Sequence, residues 1–385
     1  MIETDIIIYW CQFYFCYKKY SEKEIDNIIK NEYHTNRLKI KGGYDMISFK
    51  NDYSEGAHNI ILERIQKENS IQNIGYGEDE HCKKAAECIQ KQLDCYDCDV
   101  HFLVGGTQTN LVMISHCLKP YQAVIAADSG HINVHETGAI EATGHKVIAM
   151  SSKEGKLDVQ AVQKALDIHT DEHMVQPKMV YVSNPTEVGT LYTKKELKEL
   201  SDFCKQHHLI FYLDGARMAS ALASKYNDIT ITDYSKLVDL LYLGGTKCGA
   251  LFGEALVIFK RELNEDFRFS MKQKGAMLAK GWLLGIQFET LFEGELYQKI
   301  GEKANAMAEK IKNAIEQKGY SFQFTPCSNQ LFPILPNTVL QKLEKEFLFT
   351  DWEKIDNNHT SVRIVTSWAT KEENVQKLIK QIEQA

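Results

Sequence analysis

Downstream of about residue 98, apolar positions fall into short β-rich runs separated by longer stretches in which apolar residues recur every three or four positions. The runs Val100–Val104, Ala123–Ala127, Lys146–Met150, Met179–Ser183, Ile210–Asp214, Val238–Leu243 and Ala255–Phe259 predict seven strands. Helical spacing is clear at Leu157–Leu166, with Asp158 near its start, and at Lys194–His207. Strands that are apolar on both faces and alternate with amphipathic helices predict an α/β fold, a mostly parallel sheet covered by helices on both sides. From about Gly275 to Lys318 the pattern is helical throughout. The tail then reads as strand (Tyr320–Phe324), strand (Gln330–Leu335), helix (Thr338–Phe347), strand (Ser361–Thr366) and helix (Lys371–Glu383), a smaller α+β domain.

This pattern divides the chain into a large α/β domain over 46–290 and a small carboxyl-terminal domain over 291–385, joined through a long helix. Residues 1–45 differ in texture, with an aromatic run from Tyr9 to Tyr17, a Lys-rich stretch and Gly42-Gly43. They read as an extension outside the core, with Met46 as an alternative start and a short docking helix as the other reading. The apolar run Ile6–Tyr17 is well short of the roughly 20 residues that a bilayer span requires, and it lacks the features of a secretory leader.

Composition narrows the function classes. With 45 basic and 52 acidic residues the formal charge is −7, so no general positive field is present to collect nucleic acid. Ten cysteines in 385 residues are too sparse for a disulfide scaffold and suit a reducing cytoplasm. His81, Cys82, Cys88, Cys95, Cys98 and His101 lie close together, and Cys95 and Cys98 have C-x₂-C spacing. The second pair of a structural zinc site is missing, so no metal is expected. A small discrete ligand is the better expectation.

Two charged groups stand at predicted strand ends, Asp214 in Leu213-Asp214-Gly215-Ala216-Arg217 and Lys247 in Gly244-Gly245-Thr246-Lys247. Ligands of open α/β sheets bind beyond the carboxyl ends of strands, so both would face one crevice. A buried aldehyde cofactor such as pyridoxal 5′-phosphate accounts for such a pair: the lysine forms a Schiff base, and the carboxylate keeps the pyridine nitrogen protonated. An ordinary Asp–Lys ion pair at a strand edge is the plainer reading of these two residues taken alone. A third element, Val104-Gly105-Gly106-Thr107-Gln108-Thr109-Asn110, follows a strand and opens a helix, where backbone N–H groups can approach a phosphate. It lacks the Lys of a P-loop and the third Gly of a dinucleotide fingerprint.

Taken in order, Asn51-Asp52, Tyr76-Gly77-Glu78-Asp79, Gly105-Gly106-Thr107, Asp128-Ser129-Gly130-His131, Asp214-Gly215-Ala216-Arg217, Thr246-Lys247 and Arg363 resemble the motifs of the threonine aldolase family. That family lies within the β-eliminating lyase group of fold type I pyridoxal-phosphate enzymes, and the resemblance runs from Met46 to the carboxyl terminus. It implies reversible cleavage of L-threonine, L-allo-threonine or related β-hydroxy-α-amino acids to glycine and an aldehyde. It implies Lys247 as the Schiff-base lysine, Asp214 as partner of the pyridine nitrogen and Arg217 near the cofactor 3-hydroxyl. Gly106 and Thr107 would cradle the phosphate, with Thr246 as a further contact. His131 would stack on the ring and serve as base for the substrate hydroxyl. Arg363 and Asn51 would hold the substrate carboxylate, for which a planar bidentate donor is apt. Tyr76 would stand at the boundary of a homodimer or homotetramer, reaching the neighbouring site, and Lys272 and Lys280 could supply charge there.

Each residue also has a plainer reading: His131 as a packing or capping residue, Arg363 as a solvated strand residue, Tyr76 as core, Lys272 and Lys280 as solvated helix lysines. The sequence departs from the family pattern at Lys50-Asn51-Asp52-Tyr53, where Asn51 replaces a serine; an amide still donates a hydrogen bond. Gly105 and Thr246 likewise stand where the family has serine. The same Lys247 and Asp214 would serve another enzyme on this scaffold, a β-eliminating lyase or an aminotransferase. A non-catalytic binding protein is the remaining alternative.

Overall fold

The computed structural model describes residues 46–384; the extension over 1–45 lies outside the described residues. Seven strands form the central sheet: β1 (Asp99–Leu103), β2 (Gln122–Ala127), β3 (Lys146–Met150), β4 (Gln176–Ser183), β5 (Ile210–Gly215), β6 (Leu240–Gly244) and β7 (Glu254–Ile258). Their order is β1-β7-β6-β5-β4-β2-β3. Strands β2 to β6 run parallel, whereas β7 is antiparallel to both neighbours, β1 and β6. All seven predicted strands are present, and the sheet is mixed but mostly parallel. Every residue of β2, β5, β6 and β7 is buried, as expected where helices cover both faces of a sheet.

Local signals explain where the helices start. Asp158 accepts a hydrogen bond from the Ala161 amide and caps Val159–Ile168, and Thr193 with Glu196 forms a capping box at Lys194–Gln206. The helix Gly106–Cys117 follows Gly105, which has no side chain to cap it, so its first amides remain open to a ligand.

The helical tract after Gly275 divides into Trp282–Phe292, buried on nearly every face, and the amphipathic Leu296–Gln317. The second of these lies so close to Met218–Leu222 that a Cβ on Gly301 would stand 1.9 Å from the Ala219 carbonyl oxygen. Gly301→Ala is therefore expected to destabilise the fold by about 1–3 kcal/mol through overpacking, read as a lower urea midpoint.

Beyond this helix a small antiparallel sheet is centred on β11 (His359–Val365). It pairs with β9 (Ile334–Pro336), β10 (Thr350–Lys354) and, at its far end, β8 (Gln330–Leu331). Four details depart from the sequence reading. The stretch expected as one strand over Gln330–Leu335 is broken at Pro333, which has no N–H to donate. Tyr320–Phe324 contributes a single bridge, Phe322 to Pro333. The helix expected to reach Phe347 stops at Leu343, and the polar strand Thr350–Lys354, an edge with little apolar pattern, was not predicted. Residues Ser48–Ala385 form one compact unit. No helix among the described residues is long and apolar enough to cross a membrane.

Candidate active site

Strands β4, β5 and β6 end side by side at Ser183, Asp214 and Gly244, and the candidate residues gather around those ends. Asp214 is 4% exposed. Its Oδ2 accepts hydrogen bonds from the Tyr181 hydroxyl (2.5 Å) and Asn110 Nδ2 (3.4 Å), and its Oδ1 from the Ala216 amide (2.8 Å). Asn110 is itself fixed by Tyr212, whose hydroxyl donates to its Oδ1 at 2.8 Å. The carboxylate is thus held rigidly on neutral donors, with no cation bonded to it.

Lys247 follows β6 in a turn shaped by Gly253, whose carbonyl accepts from the Gly245 and Thr246 amides. The Thr246 hydroxyl accepts from the Gly253 amide at 3.1 Å and lies 3.4 Å from the Gly253 carbonyl, so it holds the turn. Lys247 itself has no hydrogen bond or ion pair to any described residue, which removes the Asp–Lys ion-pair reading. Burial and the neighbouring Arg217 charge push its amine below the ordinary lysine range, outweighing Asp52, Asp214 and Glu254. A half-buried, unbonded amine inclined toward its neutral form is a nucleophile.

Arg217 is committed elsewhere. Its Nε and Nη2 form a fork on Asp52, at 2.6 Å and 3.0 Å, and Asn329 donates to the same carboxylate at 2.9 Å. Burial works to raise the Asp52 carboxyl, but Arg217 outweighs it and holds it below the usual range. Asp52 and Asn329 are site residues that the sequence reading left without a role. Asp52 stood in a quoted motif, but its partners lie 165 and 277 residues away.

His131 opens a short helix after Gly130. Its Nδ1 lies 2.7 Å from Glu136 Oε1, which also accepts from Asn110, so the ring is tied to the network that holds Asp214. Its backbone amide donates to Glu187. Glu136 and Glu187 are further residues missed in the sequence, since neither belongs to a spaced motif.

The side chain of Arg363 on β11 makes one hydrogen bond to a described residue, Nη2 to the Lys50 carbonyl at 3.2 Å, and its Nε is buried without a partner. Asn51 accepts from the Tyr53 amide and the Ser54 hydroxyl through Oδ1, which leaves its amide N–H groups open. Gly106 backs onto the Tyr242 hydroxyl, 2.8 Å from where a Cβ would stand, so no larger residue fits at this helix start without displacing it.

Tyr76 is not brought into contact with this group. It sits at φ 64° beside a cavity of about 240 Å³, with Lys272 Nζ 4.6 Å from its ring centroid and Arg268 Nη2 bonded to its carbonyl. The Lys280 side chain makes no hydrogen bond or ion pair to a described residue. Cys95 and Cys98 face Asp97 and a backbone carbonyl, and no group of three metal-binding side chains occurs among the described residues.

Sequence and structure comparisons agree with this geometry. The family profile described as "Beta-eliminating lyase" matches residues 62–333. The chain is 29% identical to a low specificity L-threonine aldolase of a Pseudomonas species over 321 residues, 82% of this chain and 90% of that one. It superposes on a threonine aldolase structure from Leishmania major with TM-score 0.87 and 48% identity, covering 88% of this chain and 99% of the other. An aspartate aminotransferase from Thermus thermophilus, at 14% identity and TM-score 0.68 over 95% of this chain and 97% of that one, shares the fold alone. With the strand-end lysine and carboxylate in place and the match spanning nearly all of a solved aldolase, the chain belongs to the beta-eliminating lyase family, among its threonine aldolases.

Proposed function

We propose that the protein binds pyridoxal 5′-phosphate and cleaves β-hydroxy-α-amino acids, L-threonine and L-allo-threonine among them, to glycine and an aldehyde. The observation that carries this reading is Lys247, an amine without a partner at the end of a sheet that also presents a rigidly held carboxylate. The residues fit the cofactor: Lys247 would hold its aldehyde carbon, and Asp214 would keep a proton on its ring nitrogen. The open amides at Gly106 and Thr107 would take its phosphate. Arg217, fixed on Asp52, would lie by its 3-hydroxyl. Thr246 contributes through the turn it holds. When bound, the cofactor serves as an electron sink for the pair released by the breaking bond.

The chain supplies orientation and proton control. The Arg363 guanidinium and the open amide of Asn51 would donate to the substrate carboxylate, which would place the Cα–Cβ bond for cleavage. His131 would flank the cofactor ring. With Nδ1 engaged by Glu136, Nε2 is the ring nitrogen left open. The first test is the absorbance of purified protein loaded with the cofactor, followed by addition of threonine and detection of acetaldehyde. A protein that forms no lysine-linked chromophore overturns the cofactor assignment. Keto acid and ammonia in place of acetaldehyde overturn aldol cleavage in favour of elimination.

Arg363→Ala is expected to raise KM for threonine by about tenfold or more, with cofactor absorbance retained, as loss of a charged hydrogen bond implies. Loss of the cofactor alone would remove Arg363 from carboxylate binding.

The assembly we propose is a homodimer, or a dimer of such dimers, built on the face that carries Tyr76. Ile71, Ile74, Tyr76 and Phe269 are 55%, 66%, 45% and 76% exposed, an apolar surface that a second copy would cover. Light scattering that gives a monomer at assay concentration would overturn it. The described cysteines are free thiols, in keeping with a reducing cytoplasm.

A further inference from the structure

His131 is not the only imidazole at the substrate side of this site. His135 follows it by four residues, one helical turn, and the two rings lie 5.6 Å apart between centroids at an interplanar angle of 55°. Their circumstances differ sharply. His131 is clamped: Nδ1 is held by Glu136 and its amide by Glu187. The His135 ring is exposed and makes no hydrogen bond to any described residue.

The surroundings of His135 are cationic. Besides His131 on its own helix, the charges acting on it come from Arg363 of β11, Lys247 of the turn after β6 and Arg217 of the turn after β5. The adjacent carboxylate, Glu136, is buried and engaged by His131 and Asn110. Arg363 and Lys247 are the residues assigned to the substrate's carboxylate and to the cofactor. Its ring therefore lies against His131, on the side of the site where those two charges act.

We propose that His135 is a catalytic residue, the imidazole that receives the proton of the substrate β-hydroxyl while His131 flanks the cofactor. The proposal rests on the aldol-cleavage reading above. In the step, the β O–H bond breaks and its proton passes to the imidazole. The oxygen's electron pair completes the aldehyde C=O, and the Cα–Cβ pair stays with the glycine carbon. The imidazolium then holds one proton, the number that carbon needs to become glycine, so no outside acid or base enters the balance. Chemistry favours this choice over the clamped neighbour. Partial loss of hydration and the surrounding cations hold the His135 imidazolium below the ordinary histidine range, which favours the neutral ring that can accept a proton. Its lack of hydrogen bonds leaves a ring nitrogen free for the hydroxyl.

The test uses the cofactor-loaded full-length enzyme and the variants His135→Phe and His135→Asn, with threonine as substrate. His135 is exposed, so both variants are expected to fold, and the cofactor absorbance verifies this before kinetics are measured. The expected result is a fall in kcat of about 10²-fold or more with KM changed by less than about threefold, the scale of general base catalysis. The acid limb of the pH profile of kcat/KM is expected to disappear in both variants, because the group whose protonation causes it is gone. A kcat within about threefold of the parent, with the acid limb retained, overturns the proposal and returns the proton to His131 or to water. Failure of the underlying reading looks different: the parent enzyme itself would release no acetaldehyde.

Discussion

Lys247→Ala protein is expected to lose the visible absorbance of the cofactor-loaded enzyme and to cleave threonine roughly 10⁴-fold or more slowly, the scale on which removal of a covalent catalytic group acts. The expectation follows from what surrounds the amine. No carboxylate or carbonyl is bonded to Lys247, so its truncation breaks no structural link, and the variant should unfold at the same denaturant concentration as the parent. Burial and Arg217 already weaken its hold on a proton, and an alanine offers nothing in its place. Retained colour and cleavage in the variant would mean that another amine serves, and would remove the central assignment.

Asp52→Ala is expected to have the largest effect on stability. Asp52 and Arg217 have side chains 1% and 12% exposed and form a two-bond fork, so deleting the carboxylate leaves a buried guanidinium without its counter-charge. A loss of about 3–5 kcal/mol is the usual scale for such a break. Replacing Arg217 with Met in the same background should recover much of it, since the stranded charge is then gone. The pair also sets an acid limit. The Asp52 carboxyl is lowered from 3.8 in the folded protein, so its contribution is complete above that value and is lost as pH falls through the lower folded one. Equilibrium unfolding measured between neutral pH and about pH 3 should show a parent advantage over Asp52→Ala that is full at neutral pH and shrinks only at the acid end.

The sheet was legible because its strands are buried on both faces and separated by well-capped helices: runs such as Ile210–Asp214 leave little choice of structure. The small domain was read less well. Its strand Thr350–Lys354 alternates half-buried and exposed polar residues at a sheet edge, and its pairing with β11 comes from tertiary contact, not from local pattern. At the site, residues in contiguous motifs, Asp214, Arg217, Lys247 and His131, were visible because the chain presents them at strand ends. Their supports were not. Tyr181 lies within an apolar strand and looks like core until its hydroxyl is seen on Asp214. Glu136 stands only five residues from His131 but outside any of the motifs, and Asn329 acts across 277 residues that no spacing rule reports. Thr246 shows something the sequence did not suggest: whatever ligand contact its place beside the lysine gives it, its hydroxyl also closes the turn through Gly253.

The clasp on Asp52 has a consequence for biosynthesis. It joins the chain across 165 residues to Arg217 and across 277 residues to Asn329, while Arg363 lies farther along still. A ribosome delivers the amino-terminal part first. When Lys247 has emerged, the partner that completes the clasp and the arginine proposed for the substrate carboxylate have not been made. The parallel sheet can form early, but the pocket matures only near the end of translation, so a half-made chain carries its reactive amine without the apparatus to use it.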